Sequence, residues 1–238
     1  MHGLRICVGT LICLVIATAQ ADELERDGGC SRWDQRPVLQ NLGWPRAVHM
    51  GGRESSTSLA FAEAISLKLA MAITPIELDR LMEKGDSIER IVQTLSKTGA
   101  CPLAEGPIDD VAFSRDLNSK TKRKPTAPPI GCATHPERRL KAKSLELKIL
   151  ALDDSNAIDA TISRGRIPIV RWQTNGGTLD SPIEARRFSP TTDRCEWLVR
   201  QMNGPFCDKT LGGICEDGAL WLPRDELKKK IKMAWEIR

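Results

Sequence analysis

Residues 55–72 constrain the fold more than any other stretch of the chain. The run Leu59-Ala60-Phe61-Ala62, then Ala64-Ile65, Leu67 and Leu69-Ala70-Met71-Ala72, is broken only by Glu63, Ser66 and Lys68. It reads as one helix beginning near Thr57, with Ser58 in its first turn and Phe61 one turn on. A helix apolar on nearly every side and rich in alanine belongs between two layers, where small side chains allow close backbone approach. The rest of the chain must supply those layers.

The N-terminus does not contribute to them. Met1-His2-Gly3-Leu4-Arg5 is followed by an apolar run to Ala19 and by Ala19-Gln20-Ala21 before Asp22-Glu23. One positive residue, an apolar core shorter than the ~20 residues of a membrane span, and an Ala-x-Ala site describe a secretory signal peptide over 1–21. Its removal discards Cys7 and Cys13 and leaves Cys30, Cys101, Cys132, Cys195, Cys207 and Cys215. An even set in an exported chain predicts disulfides. Cys207 and Cys215, either side of Gly212-Gly213, are the one specific pair expected; the pairing of the other four stays open. No Cys-x-x-Cys occurs and only His49 and His135 remain in the mature chain, so neither a metal site nor a cofactor is expected.

Net charge is +4 for the whole chain, but it is unevenly spread. Residues 115–148 hold ten basic residues against Asp116, Glu137 and Glu146. Such a face is solvated or meets an anionic partner, an envelope polymer or a lipid headgroup. No aromatic residue is interleaved from 116 to 150, which argues against nucleic acid.

Helices come first and strands second, an α+β order. Thr74-Pro75-Ile76-Glu77 predicts a helix start with Glu77 closing a capping box, Leu78, Leu81 and Met82 buried and Gly85 ending it. Asp86-Ser87-Ile88-Glu89 starts a third helix with Ile88, Ile91, Val92 and Leu95 on one face and Gly99 beyond its end. Residues 107–136, with five prolines and Lys120 to Lys124, read as a basic linker. Thereafter 145–152 and 167–172 read as strands around a short helix over 155–165 with Ser155 as cap. A Gly176-Gly177 turn follows, then strands at 183–188, 196–200, 219–222 and 231–237, and a short helix opening at Pro223. The predicted division is 1–21, 22–106, 107–136 and 137–238.

Several blocks of this order also resemble a known family. Ser56-Thr57-Ser58-Leu59-Ala60-Phe61 is similar to the Gly-Ser-Cys-Trp-Ala-Phe opening of the active-site helix in papain-like cysteine peptidases. Cys30-Ser31-Arg32-Trp33-Asp34-Gln35-Arg36 and Val38-Leu39-Gln40-Asn41-Leu42-Gly43 resemble the entry segment of that family's exported bacterial branch, and Gly85-Asp86-Ser87-Ile88 and Gly99-Ala100-Cys101-Pro102 its next blocks. Cys195-Glu196-Trp197-Leu198-Val199-Arg200 and Leu220-Trp221-Leu222-Pro223 resemble the strands around its Arg-Asn-Ser-Trp-Gly motif. The resemblance implies two lobes, a helical first lobe and an antiparallel sheet or barrel as the second.

It also implies where the catalytic groups would stand. The nucleophilic cysteine falls on Ser58, the histidine on Leu179 by counting back from Ala185, the orienting asparagine on Gln201 and the oxyanion-hole glutamine on Leu42. A thiolate, a base, its orienter and an oxyanion donor are thereby all replaced. The expectation is an exported pseudopeptidase, secreted or periplasmic, that binds a peptide, protein or anionic envelope polymer through its cleft or basic face. Two alternatives stay open: a hydrolase using Ser58 with His49 as base, His135 being the poorer candidate, and a structural or assembly protein of the envelope. Asp180 and Glu184 could orient such a base but read more readily as surface charges, and Trp33, Trp44 and Trp235 read as interface anchors or core.

Overall fold

The computed structural model describes residues 56–70, 73, 75–101, 132, 139, 145–153, 156–201, 207, 209–216 and 218–238. The signal peptide expected over 1–21, Cys30, Trp33, Leu42, Trp44, His49, His135 and, apart from Cys132, the linker expected over 107–136 lie outside the described residues.

The long apolar stretch is helix α1, Ser56–Leu69, buried without interruption from Ser58 to Ser66. Helices α2, Pro75–Glu83, and α3, Ile88–Thr98, complete the helical layer. Phe61, Ile65, Leu78, Ile91 and Leu95 of these helices share one core with Ile169, Trp235 and Ile237 from the sheet and with Ile167 just before it. The small side chains Ala60, Ala62 and Ala64 fill the rest of that interface, which is why α1 has to be alanine-rich. Ser66 is tolerated there because its hydroxyl donates to the Ala62 carbonyl and accepts from the Ile73 N–H.

The helix ends follow local chemistry. Ser87 caps α3 by accepting from the Arg90 N–H at 3.3 Å, and Gly99, at φ +83°, returns its N–H to the Leu95 carbonyl. Thr74, the other half of the capping box expected at Glu77, lies outside the described residues, but Glu77 also has partners beyond its own helix. Its carboxylate accepts from the Cys101 N–H at 2.9 Å and pairs with Arg139 at 2.7 Å, so it ties the segment after α3 back onto α2. The Cys101–Cys132 disulfide fixes the same place covalently.

The second half forms one antiparallel sheet. Its strands are β1 Leu147–Ile149, β2 Pro168–Thr174, β3 Gly177–Ser189, β4 Arg194–Arg200, β5 Ile214–Glu216, β6 Ala219–Pro223 and β7 Ile231–Ile237. They lie in the order β1-β7-β2-β3-β4-β6-β5. Among the described residues β1 and β5 end the row and do not pair, so the sheet is open rather than a barrel. Helix α4, Ala157–Ser163, and α5, Arg224–Lys230, sit on the face away from α1. There Ile158, Ile162 and Leu227 join Val170, Trp172, Ile183, Trp197, Val199 and Leu222 in a second core. Asp159 of α4 is buried in this layer because Trp197 Nε1–H donates to it at 2.8 Å while Arg186 and Arg224 stand at 3.6 and 3.4 Å.

Several expected elements differ in extent. The strand expected over 145–152 is regular only at Leu147–Ile149, with Glu146 and Leu150 still hydrogen-bonded to Arg238 and Ala234, and Ile149 and Leu152 are exposed; their aliphatic character belongs to an edge. Asn156, not Ser155, precedes α4, and Ser155 is outside the described residues. Strand β3 begins six residues before the expected start, at Gly177, and β5 is an additional three-residue strand. The Cys207–Cys215 disulfide forms as expected. Gly213, at φ +93°, is required beside it: a Cβ there would lie 2.4 Å from the Trp221 carbonyl oxygen. Cys195 is disulfide-bonded as well.

Candidate functional site

The N-terminus of α1 meets the hairpin of β2 and β3. Thr57 donates its hydroxyl proton to Asp180 Oδ2 at 2.6 Å, and the Asp180 N–H donates to Ser56 Oγ at 3.3 Å. Arg171, directly opposite Asp180 in the β2–β3 register, donates Nε–H to Oδ1 and Nη2–H to Oδ2, both at 2.7 Å. Its guanidinium lies 5.1 Å from the Trp235 ring centroid, and Trp235 meets Phe61 edge-on at 5.6 Å. Phe61 stands one helical turn after Thr57. The contacts therefore leave α1 through a hydroxyl and return to it through a phenyl ring.

Each part of this circuit has a physical reason. The first turn of a helix presents unpaired N–H groups and partial positive charge, which favours a carboxylate there. Asp180 is only 2% exposed, and a carboxylate so buried requires a paired cation. Arg171 supplies it in the bidentate geometry that suits guanidinium. The Asp180 hydrogen bond raises the basicity of Arg171 above its ordinary value, against the opposing effect of burial.

The positions inherited from the family resemblance are distributed differently. Ser58 is fully buried. Leu179 belongs to the second core, beside Trp172 and away from α1; the residue of β3 that faces the helix is Asp180. The register shifts further along β3, between Ile183 and Ala185. Ile183 lies in the second core, whereas Ala185 lies with Leu198, Ala219 and Trp221 on the opposite face. The bulge between them changes the phase of the strand by one. Gln201, one residue past β4, is buried and its N–H donates to the Gly218 carbonyl at 2.9 Å.

Asp180 and Glu184 are not surface charges. Glu184 is 9% exposed and forms a two-pronged pair with Arg200, Nη2 to Oε2 being 2.8 Å and the second contact running from Nε to Oε1. Trp235 is core rather than an interface anchor, at 2% exposure. Among the described residues there is no cluster of three His, Cys, Asp or Glu side chains placed to hold a metal, and no helix long and apolar enough to cross a membrane.

The chemistry open to this arrangement is limited. Both oxygens of Asp180 already accept from a guanidinium, and one also accepts from Thr57. Taking a proton from Thr57 would leave a buried neutral acid beside the hydroxyl's anion and forfeit the ion pair with Arg171. General-base activation of a hydroxyl is poorly served by such a carboxylate. The network is suited to holding α1 against the sheet. No protein-family model matches the chain, and no curated protein matches it by sequence.

Proposed function

We propose that the chain is an exported papain-like protein that has lost peptide hydrolysis and retains ligand binding, with an extended peptide or protein segment, or an anionic envelope polymer, as its ligand. The observation that carries the loss of hydrolysis is the state of the α1 N-terminus. Ser58 is fully buried, and the neighbouring Thr57 hydroxyl is spent on an Asp180 carboxylate already engaged by Arg171. The order of three helices followed by an antiparallel sheet, with α1 between the other helices and that sheet, supports the papain-like reading. Disulfides at Cys101–Cys132 and Cys207–Cys215 support an oxidising compartment.

The ligand is tested with oxidatively folded residues 22–238, exposed to pools of unstructured peptides and of anionic polymers. Saturable retention of a defined ligand, recovered uncleaved, is the expected result. Release of cleaved peptide, or failure to retain any ligand from either pool, contradicts the proposal.

A further inference from the structure

A second concentration of charge lies at the C-terminal end of β7, around Glu236. The Glu236 side chain has no exposed surface, yet three arginines converge on it. Arg166 Nη1 pairs with Oε1, and on Oε2 Arg164 Nη2 stands at 3.2 Å and Arg238 Nε at 3.4 Å. Arg164 and Arg166 come from the turn after α4, where Thr161 Oγ1 also holds Arg164 Nη2 at 3.0 Å. On the facing strand Lys148 is directly opposite Glu236. Glu146 is opposite Arg238, and the Arg238 carbonyl lies in the sheet plane, accepting from the Glu146 N–H. Residues two apart on a strand share a face, so Lys148 and Glu146 flank the same surface.

The side chains there comprise four cations and two carboxylates, and one of those carboxylates is buried beneath the arginines. Three guanidiniums around one carboxylate repel one another, and a single carboxylate cannot neutralise them. Burial alone would push the Glu236 carboxyl up, but the Arg166 hydrogen bond and the charges of Arg164, Arg238 and Arg166 bring it below its ordinary value; it stays ionised and holds the arginines in place. The arginine side chains remain 45%, 35% and 37% exposed for Arg164, Arg166 and Arg238. Their outer N–H groups therefore face solvent in fixed relation to one another. Arg238 donates Nη2–H to Oε2 at 3.5 Å, while its buried Nε, 3.4 Å from the same oxygen, makes no hydrogen bond.

We infer that Arg164, Arg166 and Arg238, gathered around Glu236 and flanked by Lys148, form a binding site for a phosphate oxyanion, free or as a phosphomonoester. A tetrahedral dianion offers several acceptor oxygens to several planar forks at once and offsets the surplus positive charge. This site is separate from the α1 N-terminus and does not rest on the proposed loss of hydrolysis.

The test is a titration of the oxidatively folded chain with inorganic phosphate and, separately, glycerol phosphate, with sodium chloride at matched ionic strength as control. Arginine Nε–H NMR signals are read in the unmodified protein. Saturable shifts at Arg164, Arg166 and Arg238, with Arg171 and Arg187 unmoved and chloride without effect, are expected. In the Arg164→Gln/Arg166→Gln variant the affinity should fall by about tenfold or more. Tighter binding of glycerol phosphate identifies the phosphomonoester as the ligand, and equal binding identifies the free anion as sufficient. Shifts that chloride reproduces, that do not saturate, or that spread over all arginines overturn the site, as does unchanged affinity in the double variant.

Discussion

Replacing Arg171 with leucine leaves the Asp180 carboxylate in place without its cation. Asp180 has a side-chain exposure of 2%, so water cannot take over from the guanidinium. Breaking a buried pair from one side costs about 3–5 kcal/mol, because an uncompensated charge remains. Asp180→Asn should cost less, about 1.5–2 kcal/mol, since the guanidinium it abandons is 36% exposed and can turn to water. The informative variant is the double one. Arg171→Leu/Asp180→Asn removes the stranded charge and should be at least ~1 kcal/mol more stable than Arg171→Leu alone, a non-additivity typical of residues in one network. Urea unfolding of the oxidised protein, followed by tryptophan fluorescence because Trp235 borders Arg171, reads these differences. With a slope of about 2 kcal/mol per molar urea, the midpoint for Arg171→Leu falls by roughly 1.5–2.5 M. A double variant as unstable as the sum of the two single variants would show that Asp180 and Arg171 do not act as a pair, and the clamp reasoning would fail.

Other consequences are open to the same kind of measurement. Glu236 is held below the ordinary glutamate value of 4.5, so its ionised form stabilises the fold above that range and the contribution is lost as pH falls through the lowered value. The stability gap between the natural protein and Glu236→Gln should accordingly be widest near neutrality and close in acid; a gap independent of pH would contradict the arginine cluster. The Cys101–Cys132 bridge spans 31 residues and Cys207–Cys215 spans 8, so loop-closure entropy predicts losses of about 3.7 and 2.5 kcal/mol when each pair is replaced by alanine. The reverse order in chemical denaturation would argue against that entropic account. Gly213→Ala forces a methyl group toward the Trp221 carbonyl at a positive φ and should cost about 1–3 kcal/mol in thermal or urea unfolding; a neutral effect would show that the turn relaxes freely.

The helical half was legible because its signals are local. The apolar run of α1, the Ser87 cap, the Ile91, Val92 and Leu95 stripe and Gly99 each announce themselves within one or two turns. The C-terminal strand, expected at 231–237, matches β7 for the same reason. The interior charges were not legible. Asp180, Glu184 and Glu236 have partners on other strands or turns, and composition alone makes such residues look like surface. One signal was present for Asp180. Asn175 and Gly176 form the two-residue connection between paired Thr174 and Gly177, and counting outward from it places Arg171 opposite Asp180. The change of face between Leu179 and Ala185 was not legible for the complementary reason, because a bulge leaves no mark in a sequence read by alternation.

The most direct test of the central claim is hydrolysis of a mixed peptide and protein pool by oxidatively folded residues 22–238, beside the Ser58→Ala variant. A buried Ser58, next to a threonine and an aspartate already committed to Arg171, predicts no turnover from either protein. Turnover by the natural chain that disappears in Ser58→Ala would make Ser58 a nucleophile and contradict the account.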